Sequence, residues 1–278
     1  MVPTTDTSGA ATKSGTPTTA DSVVSVSVAQ GVAQITLNRP PANAYNLSVQ
    51  RALYDAVADV DQRSDVLVAV LRSASDRFFC AGADIKEFQS NSMADNQAMV
   101  EQARRTLAAM ERSGVLFIAQ IGGHALGGGL ELAMACDVRF AARGSYRLGL
   151  TEIKLGLIPG NGGTQRLTRL VGMPRALELL ASGDPFGVEE AARWGLINRL
   201  YESEALASET MAYAERVAAG PALALAASKR AVRDGGELPL AEGLATEQAL
   251  ADGLYDTRDA EEGFQAFLEK RTPHFTGR

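Results

Sequence analysis

The chain has 278 residues, 46% hydrophobic and 22% charged, which suits one sizeable globular domain with or without an appendage. Its net charge of −6 disfavours non-specific binding to nucleic acid or to anionic membrane, and no apolar run approaches the roughly 18 residues of a membrane-spanning helix. Two cysteines without CxxC spacing, Cys80 and Cys136, read as buried thiols in a reducing cytoplasm, and two distant histidines, His124 and His274, argue against a histidine-based metal site or a Ser-His-Asp triad.

Residues 1–21, rich in Thr, Ser, Ala and Gly, read as a disordered tail with neither the apolar stretch of a secretory signal nor the Arg-rich pattern of a transit peptide. VVSVSV (23–28) and VAQITL (32–37) are expected to pair as a hairpin through Ala29-Gln30-Gly31. Residues 46–62 place Leu47, Leu53, Val57 and Val60 near one face of a helix. VLVAVLRS (66–73) is nearly all apolar, as in a strand covered on both faces. RFFCAGADIKEF (77–88) reads as an apolar strand ending in small residues and a short helical turn. A long helix over 95–113 precedes a strand at 116–121, a glycine-led helix over 128–135 and a strand at 138–142. Strands that alternate with helices predict a layered α/β core, 22–205, with right-handed crossovers. From 206 onward the pattern is purely helical (206–219, 222–233, 239–254, 258–270), and 206–278 is expected to form a lid, an arm or an oligomer interface.

Four features carry chemistry. In HALGGGLELAMACD, a glycine turn followed by a helix aims unpaired N–H groups at one point, with the positive end of the helix dipole behind them. Such a turn either holds a negative oxygen or simply packs tightly; the spacing matches neither GxGxxG nor GxxxxGK[ST]. In CAGAD, the N–H near Ala83 could supply a second donor, and two such donors make an oxyanion hole. Glu131, in the first turn of the glycine-led helix, could complement the dipole or act as a base. Glu152, among Leu148, Leu150, Ile153 and Leu155, must be paired, to Lys154 or Arg147 for instance, or carry a raised pKa. Two glutamates converging on one point could work as acid and base. The turn IPGNGGTQRL could hold a water or an anion on N–H groups near Gly160, or serve only as turn and cap with Arg166 and Arg169 as solvated face residues.

Taken together and in this order, FFCAGADIKEF, ALGGGLELAMACD and TEIKLGLIPGNGGTQRL resemble the enoyl-CoA hydratase/isomerase family, the crotonase superfamily, over residues 22–278. The resemblance implies an α/β spiral of ββα units with C-terminal helices that help build a homotrimer or homohexamer. It implies an oxyanion hole of the Ala83 and Gly128 N–H groups around the thioester carbonyl of an acyl-CoA, with Ala81, Asp84, Ile85 and Lys86 along the CoA path. Glu131 and Glu152 match the two catalytic glutamates, and Gly160 the glycine whose N–H positions the water. Because both acids are present, the resemblance favours a lyase that hydrates trans-2-enoyl-CoA to 3-hydroxyacyl-CoA, as in fatty-acid degradation, with no metal and no cofactor beyond the CoA of the substrate. The alternatives are a Δ3-Δ2-enoyl-CoA isomerase using one glutamate, and a non-catalytic or RNA-binding member. Gly122, Asn161 and the loop NRPPANAYN (38–46) depart from the family's usual residues, the loop by lacking a common lysine; His124 reads as a packing or rim residue, and Lys270 and Arg271 as a solvated helix end or a contact to CoA phosphates.

Overall fold

Alternating β-branched residues build strand β1 (Val24–Ala29), which turns at Gln30 and Gly31 into β2 (Val32–Leu37); both turn residues have positive φ, 52° and 75°, the geometry that suits a two-residue hairpin. The structure is a computed structural model that describes residues 22–277; the expected tail, 1–21, lies outside the described residues. Helix α1 (Leu47–Asp61) starts where the Asn46 side chain accepts the Val49 N–H at 3.0 Å, and it buries Val49, Leu53, Val57 and Val60. The chain continues through β3 (Val68–Ser73), β4 (Phe78–Cys80), α2 (Ile85–Ser90), α3 (Met93–Arg112), β5 (Leu116–Ile121), β6 (His124–Leu126) and α4 (Gly128–Ala135). Next come β7 (Val138–Ala142), β8 (Arg147–Gly149), a single 3-10 turn (Glu152–Leu155), α5 (Gly163–Val171), α6 (Met173–Ser182), β9 (Phe186–Gly187), α7 (Val188–Arg193) and β10 (Arg199–Tyr201). Helices α8 (Leu206–Ala218), α9 (Ala222–Gly235), α10 (Leu240–Asp252) and α11 (Arg258–Glu269) complete it.

Two sheets result, with strand orders β1-β2-β3-β5-β7-β10 and β4-β6-β8-β9. The first is parallel beyond the β1–β2 hairpin, with Val68, Ala69, Val70 and Leu71 of β3 all buried, as the unbroken apolar run requires. Strands β3, β5 and β7 lie in the large sheet, and each is followed by a strand of the small sheet, β4, β6 and β8, before the chain turns helical. This repeated step between sheets is the expected spiral of ββα units. The strands β6, β8, β9 and β10 have two or three residues each, too few to show a period of two.

Phe79, Phe117, Phe140, Leu71, Ile118 and Leu130 are fully buried, each contributing about 1.5–3 kcal/mol relative to an exposed position. Cys80 and Cys136 are buried free thiols, as expected. Helix α8 packs against the large sheet and buries Leu206 and Ala214. Helix α9 drives Lys229 into the interior, where its Nζ donates to the carbonyls of Met110 (2.8 Å) and Val115 (2.7 Å) and pairs with Asp137 at 3.0 Å. Helix α10 buries no residue, and Leu240, Leu244, Phe267 and Leu268 on α10 and α11 are exposed.

Candidate active site

Strands β4, β6 and β8 are parallel neighbours, paired through Phe78↔His124 and Ala125↔Leu148, so their C-terminal ends open at one edge of the small sheet. The segments that follow them carry Ala81 to Asp84, Gly127 with Gly128, and Glu152. Gly82 has φ 89°, and a Cβ there would sit 2.8 Å from the Leu126 carbonyl oxygen and 3.2 Å from the Gly128 nitrogen. Only a glycine lets the first loop lie so close against the second. Tyr45 fastens the first loop: its N–H donates to the Gly82 carbonyl and its carbonyl accepts from Asp84, both at 2.8 Å. Among the described residues, neither the Ala83 N–H, which lies between these two bonds, nor the Gly128 N–H has a protein acceptor. Gly128 opens α4, all of whose residues are buried, so its free N–H carries the helix dipole into a low-dielectric setting. Two such donors side by side are built to receive a negative oxygen.

The two glutamates meet the same place under different conditions. Glu131 is 1% exposed, and its Oε1 accepts the backbone N–H groups of Asn161 and Gly163, both at 2.7 Å. Burial raises its pKa, while those N–H groups and the nearby Arg166 charge hold the rise back. Glu152 opens the 3-10 turn, and its Oε1 lies 2.9 Å from where a Cβ on Gly127 would be. Its Oε2 is buried without a partner. Burial pushes the Glu152 carboxyl up to about 7, with the Glu131 charge adding to the rise. The pairing considered with Lys154 or Arg147 is not made: Lys154 bridges to Asp184 at 2.8 Å, and Ile153 and Leu155 beside Glu152 are exposed.

Asp84 caps α2 through the N–H groups of Lys86 and Glu87 and pairs with Arg39 at 2.9 Å, which holds its carboxyl below the usual range. Ile85 and Lys86 stand exposed on the first turn of that helix, and Ala81 donates its N–H to the Ala42 carbonyl at 3.0 Å. The Gly160 carbonyl accepts from the Arg104 guanidinium at 2.7 Å, and its N–H has no protein acceptor among the described residues. His124 is a packing residue: its Nδ1 accepts the Arg147 N–H at 3.0 Å and its ring lies 5.0 Å from that of Phe78. Arg271 pairs with Glu262 and Glu269, both at 2.6 Å, and Arg169 pairs with Glu237 at 2.8 Å.

Arg166 corrects the reading of a solvated helix face. It is half-buried, donates to the Asn161 carbonyl at 2.6 Å and pairs with Glu111 at 2.8 Å, which ties the loop holding Glu131 to helix α3. Tyr45 and the side chain of Asn161 were not singled out as site groups from sequence. Tyr45 sits in the NRPPANAYN loop, yet a Cβ on Gly128 would collide with its hydroxyl, and Asn161 Nδ2 donates to that hydroxyl at 2.9 Å. Desolvation drives the Tyr45 phenol far upward, and the Glu131 charge adds to this.

The family model for enoyl-CoA hydratase/isomerase matches residues 27–278. A probable enoyl-CoA hydratase of Mycobacterium tuberculosis is 40% identical over 250 residues, 90% of this chain and 96% of that protein. The (E)-benzylidenesuccinyl-CoA hydratase of Thauera aromatica is 37% identical over 255 residues, 91% of this chain and 99% of that protein. The crystal structure of an enoyl-CoA hydratase from Bacillus anthracis superposes with a TM-score of 0.90 at 38% identity, covering 92% of this chain and all of that one. The motifs, the two-sheet spiral and these likenesses agree: the chain belongs to the enoyl-CoA hydratase/isomerase family.

Proposed function

We propose that the protein catalyses the reversible addition of water to a trans-2-enoyl-CoA, giving a 3-hydroxyacyl-CoA. One observation carries this reading: two unpartnered backbone N–H groups, at Ala83 and Gly128, open beside a buried Glu131 and a half-buried Glu152 that are hydrogen-bonded to different degrees. The thioester carbonyl accepts from both N–H groups, so the charge that develops on its oxygen as water attacks C3 meets fixed donors; removing one such donor costs about 10²–10³ in rate. Glu131 takes a proton from the attacking water, whose oxygen bonds to C3 while the C2–C3 π electrons move towards the thioester. Glu152 delivers a proton to C2 as the enolate collapses. Gly160 offers its N–H to the water.

Ala81, Asp84, Ile85 and Lys86 follow the path of the CoA moiety, with Lys86 the cation free to meet a phosphate and Asp84 holding the start of α2 in place. No cofactor beyond the CoA of the substrate enters this chemistry. The exposed apolar residues of α10 and α11 support assembly as a homotrimer or homohexamer. A role in fatty-acid or related acyl-CoA degradation in the cytoplasm fits the reaction, and among the described residues no helix is long and apolar enough to cross a membrane. An isomerase would need only one proton-moving glutamate; the presence of both favours hydration, and a net charge of −6 speaks against an RNA-binding role. The test is loss of enoyl-thioester absorbance with crotonyl-CoA, extended to a panel of C4 to C16, branched and dienoyl thioesters.

A further inference from the structure

Helix α4 carries both the Gly128 donor and Glu131 in its first turn, and every one of its residues is buried. The carbonyls at its far end are shut off from water and need protein donors. Two arginines supply them: Arg139 Nη1 donates to the Cys136 carbonyl at 2.9 Å, and Arg233 Nη2 donates to the Ala135 carbonyl at 3.1 Å. Arg233 comes from the last turn of α9, in the C-terminal helical region, and it also pairs with Asp137 at 2.7 Å. One turn earlier, Lys229 fixes α9 through the carbonyls of Met110 and Val115, so Arg233 reaches out from an anchored base.

The other arm of Arg233 leads to Glu131 by a second route. Its Nη1 lies 3.4 Å from Glu111 of α3, and Glu111 pairs with Arg166 at 2.8 Å. Arg166 donates to the Asn161 carbonyl, and the Asn161 N–H donates to the Glu131 carboxyl. One guanidinium thus ties the end of the helix that bears Glu131 to the turn that grips the Glu131 side chain. Glu111, Arg166 and Arg233 line an open cavity of about 1620 Å³ between α3, α5 and α9, which their ion pairs bridge. Ion pairs withdrawn from water add little net stability over apolar packing, whereas a planar guanidinium forked between three acceptors fixes their relative placement.

We propose that Arg233 is a positioning residue for hydration: through Ala135, and through Glu111, Arg166 and Asn161, it fixes Glu131 against the attacking water. The C-terminal helical region thereby takes part in the reaction. This rests on the hydratase reading and adds a residue to it. The experiment measures kcat and KM with crotonyl-CoA, well below each variant's Tm, for wild type, Arg233→Ala, Arg166→Ala, the double variant and Arg230→Ala. Arg230 stands exposed on the same helix, pairs with Asp234 at 3.6 Å, and its removal should change neither constant. Arg233→Ala should lower kcat about ten- to a hundredfold with KM near the wild-type value, since a displacement of about 1 Å at a reacting group costs about 10²-fold. Because Arg233 and Arg166 hold the same Glu111, the double variant should lose less than the product of the two single losses. Should Arg233→Ala fail to fold, Arg233→Lys, which keeps a cation against Asp137 but lacks the fork, should show the same kind of fall in kcat. A folded Arg233 variant with unchanged kcat, or with a loss confined to KM, would overturn the assignment and leave the hydratase reading standing. Single losses that simply multiply would overturn it too. No hydration of crotonyl-CoA, or of any thioester in the panel, by the wild-type enzyme would overturn the hydratase reading and the assignment with it.

Discussion

Glu131 and Glu152 face one another's charge with opposite provision: Glu131 Oε1 accepts two backbone N–H groups at 2.7 Å, whereas Glu152 Oε2 is buried with none. Two backbone donors and the Arg166 charge pull Glu131 towards carboxylate, whereas burial and the Glu131 charge outweigh the one backbone hydrogen bond of Glu152 and favour its protonated form. In the proposed mechanism these different surroundings separate two chemically identical acids into base and acid.

If the proposed mechanism holds, the hydration rate should fall as pH rises through about 7, where Glu152 loses the proton assigned to C2. A profile of kcat/KM against pH with crotonyl-CoA locates this limb. Because the two acids act on each other, the inflection belongs to the pair. A profile flat from pH 6 to 8.5 would contradict the assignment of Glu152 as the acid.

Stability should show the same group. The folded-state pKa of Glu152, about 7, lies above its ordinary value of 4.5, so the folded protein holds this proton more tightly than the unfolded chain. That contribution is fully present below about 4.5 and is lost as pH rises to about 7, on the order of 1–2 kcal/mol once solvent screening of this partly accessible group is allowed for. Denaturant unfolding of wild type and Glu152→Gln at pH 5 and pH 8 checks it: the variant should lose less stability across that range.

Gly128 and Tyr45 are sterically coupled. A Cβ on Gly128 collides with the Tyr45 hydroxyl, so Gly128→Ala should lower stability by about 1–3 kcal/mol and activity by 10² or more. Adding Tyr45→Ala should recover part of the lost stability relative to the two single variants. Thermal unfolding of the double-mutant cycle measures that coupling; strict additivity would place the two residues apart.

Arg166 acts on Glu131 through the loop between them. Removing it frees the Asn161 carbonyl and withdraws a positive charge that lowers the Glu131 pKa. Arg166→Ala should shift the acidic limb of the rate profile upward and reduce kcat about tenfold. The stability loss should be modest, about 1–2 kcal/mol, since Glu111 keeps Arg233 at 3.4 Å. An unmoved acidic limb would show that the arginine serves structure alone.

The hairpin and α1 were legible because each repeats its period over six or more residues, and β3 because its unbroken apolar run marks a strand covered on both faces. Gly128, Glu131 and Glu152 were legible as anomalies: glycines and acids where local packing calls for neither. What brings them together was not. Strands β6 and β8, with three residues each, decide that the loops at Gly128 and Glu152 share one edge of a sheet, and three residues carry no readable pattern. Tyr45 and Arg166 escaped for a related reason. An aromatic in a Pro-rich loop and an arginine on a helix look solvated until the turn at Asn161 folds between them.

The most direct test is the rate of enoyl-thioester loss from crotonyl-CoA by wild type, Glu131→Gln and Glu152→Gln, each verified as folded by thermal unfolding. Wild type should hydrate the substrate, and each single substitution should lower kcat by about 10²–10⁴ with little change in KM. Undiminished hydration by Glu152→Gln, or by Glu131→Gln, would contradict the two-acid mechanism.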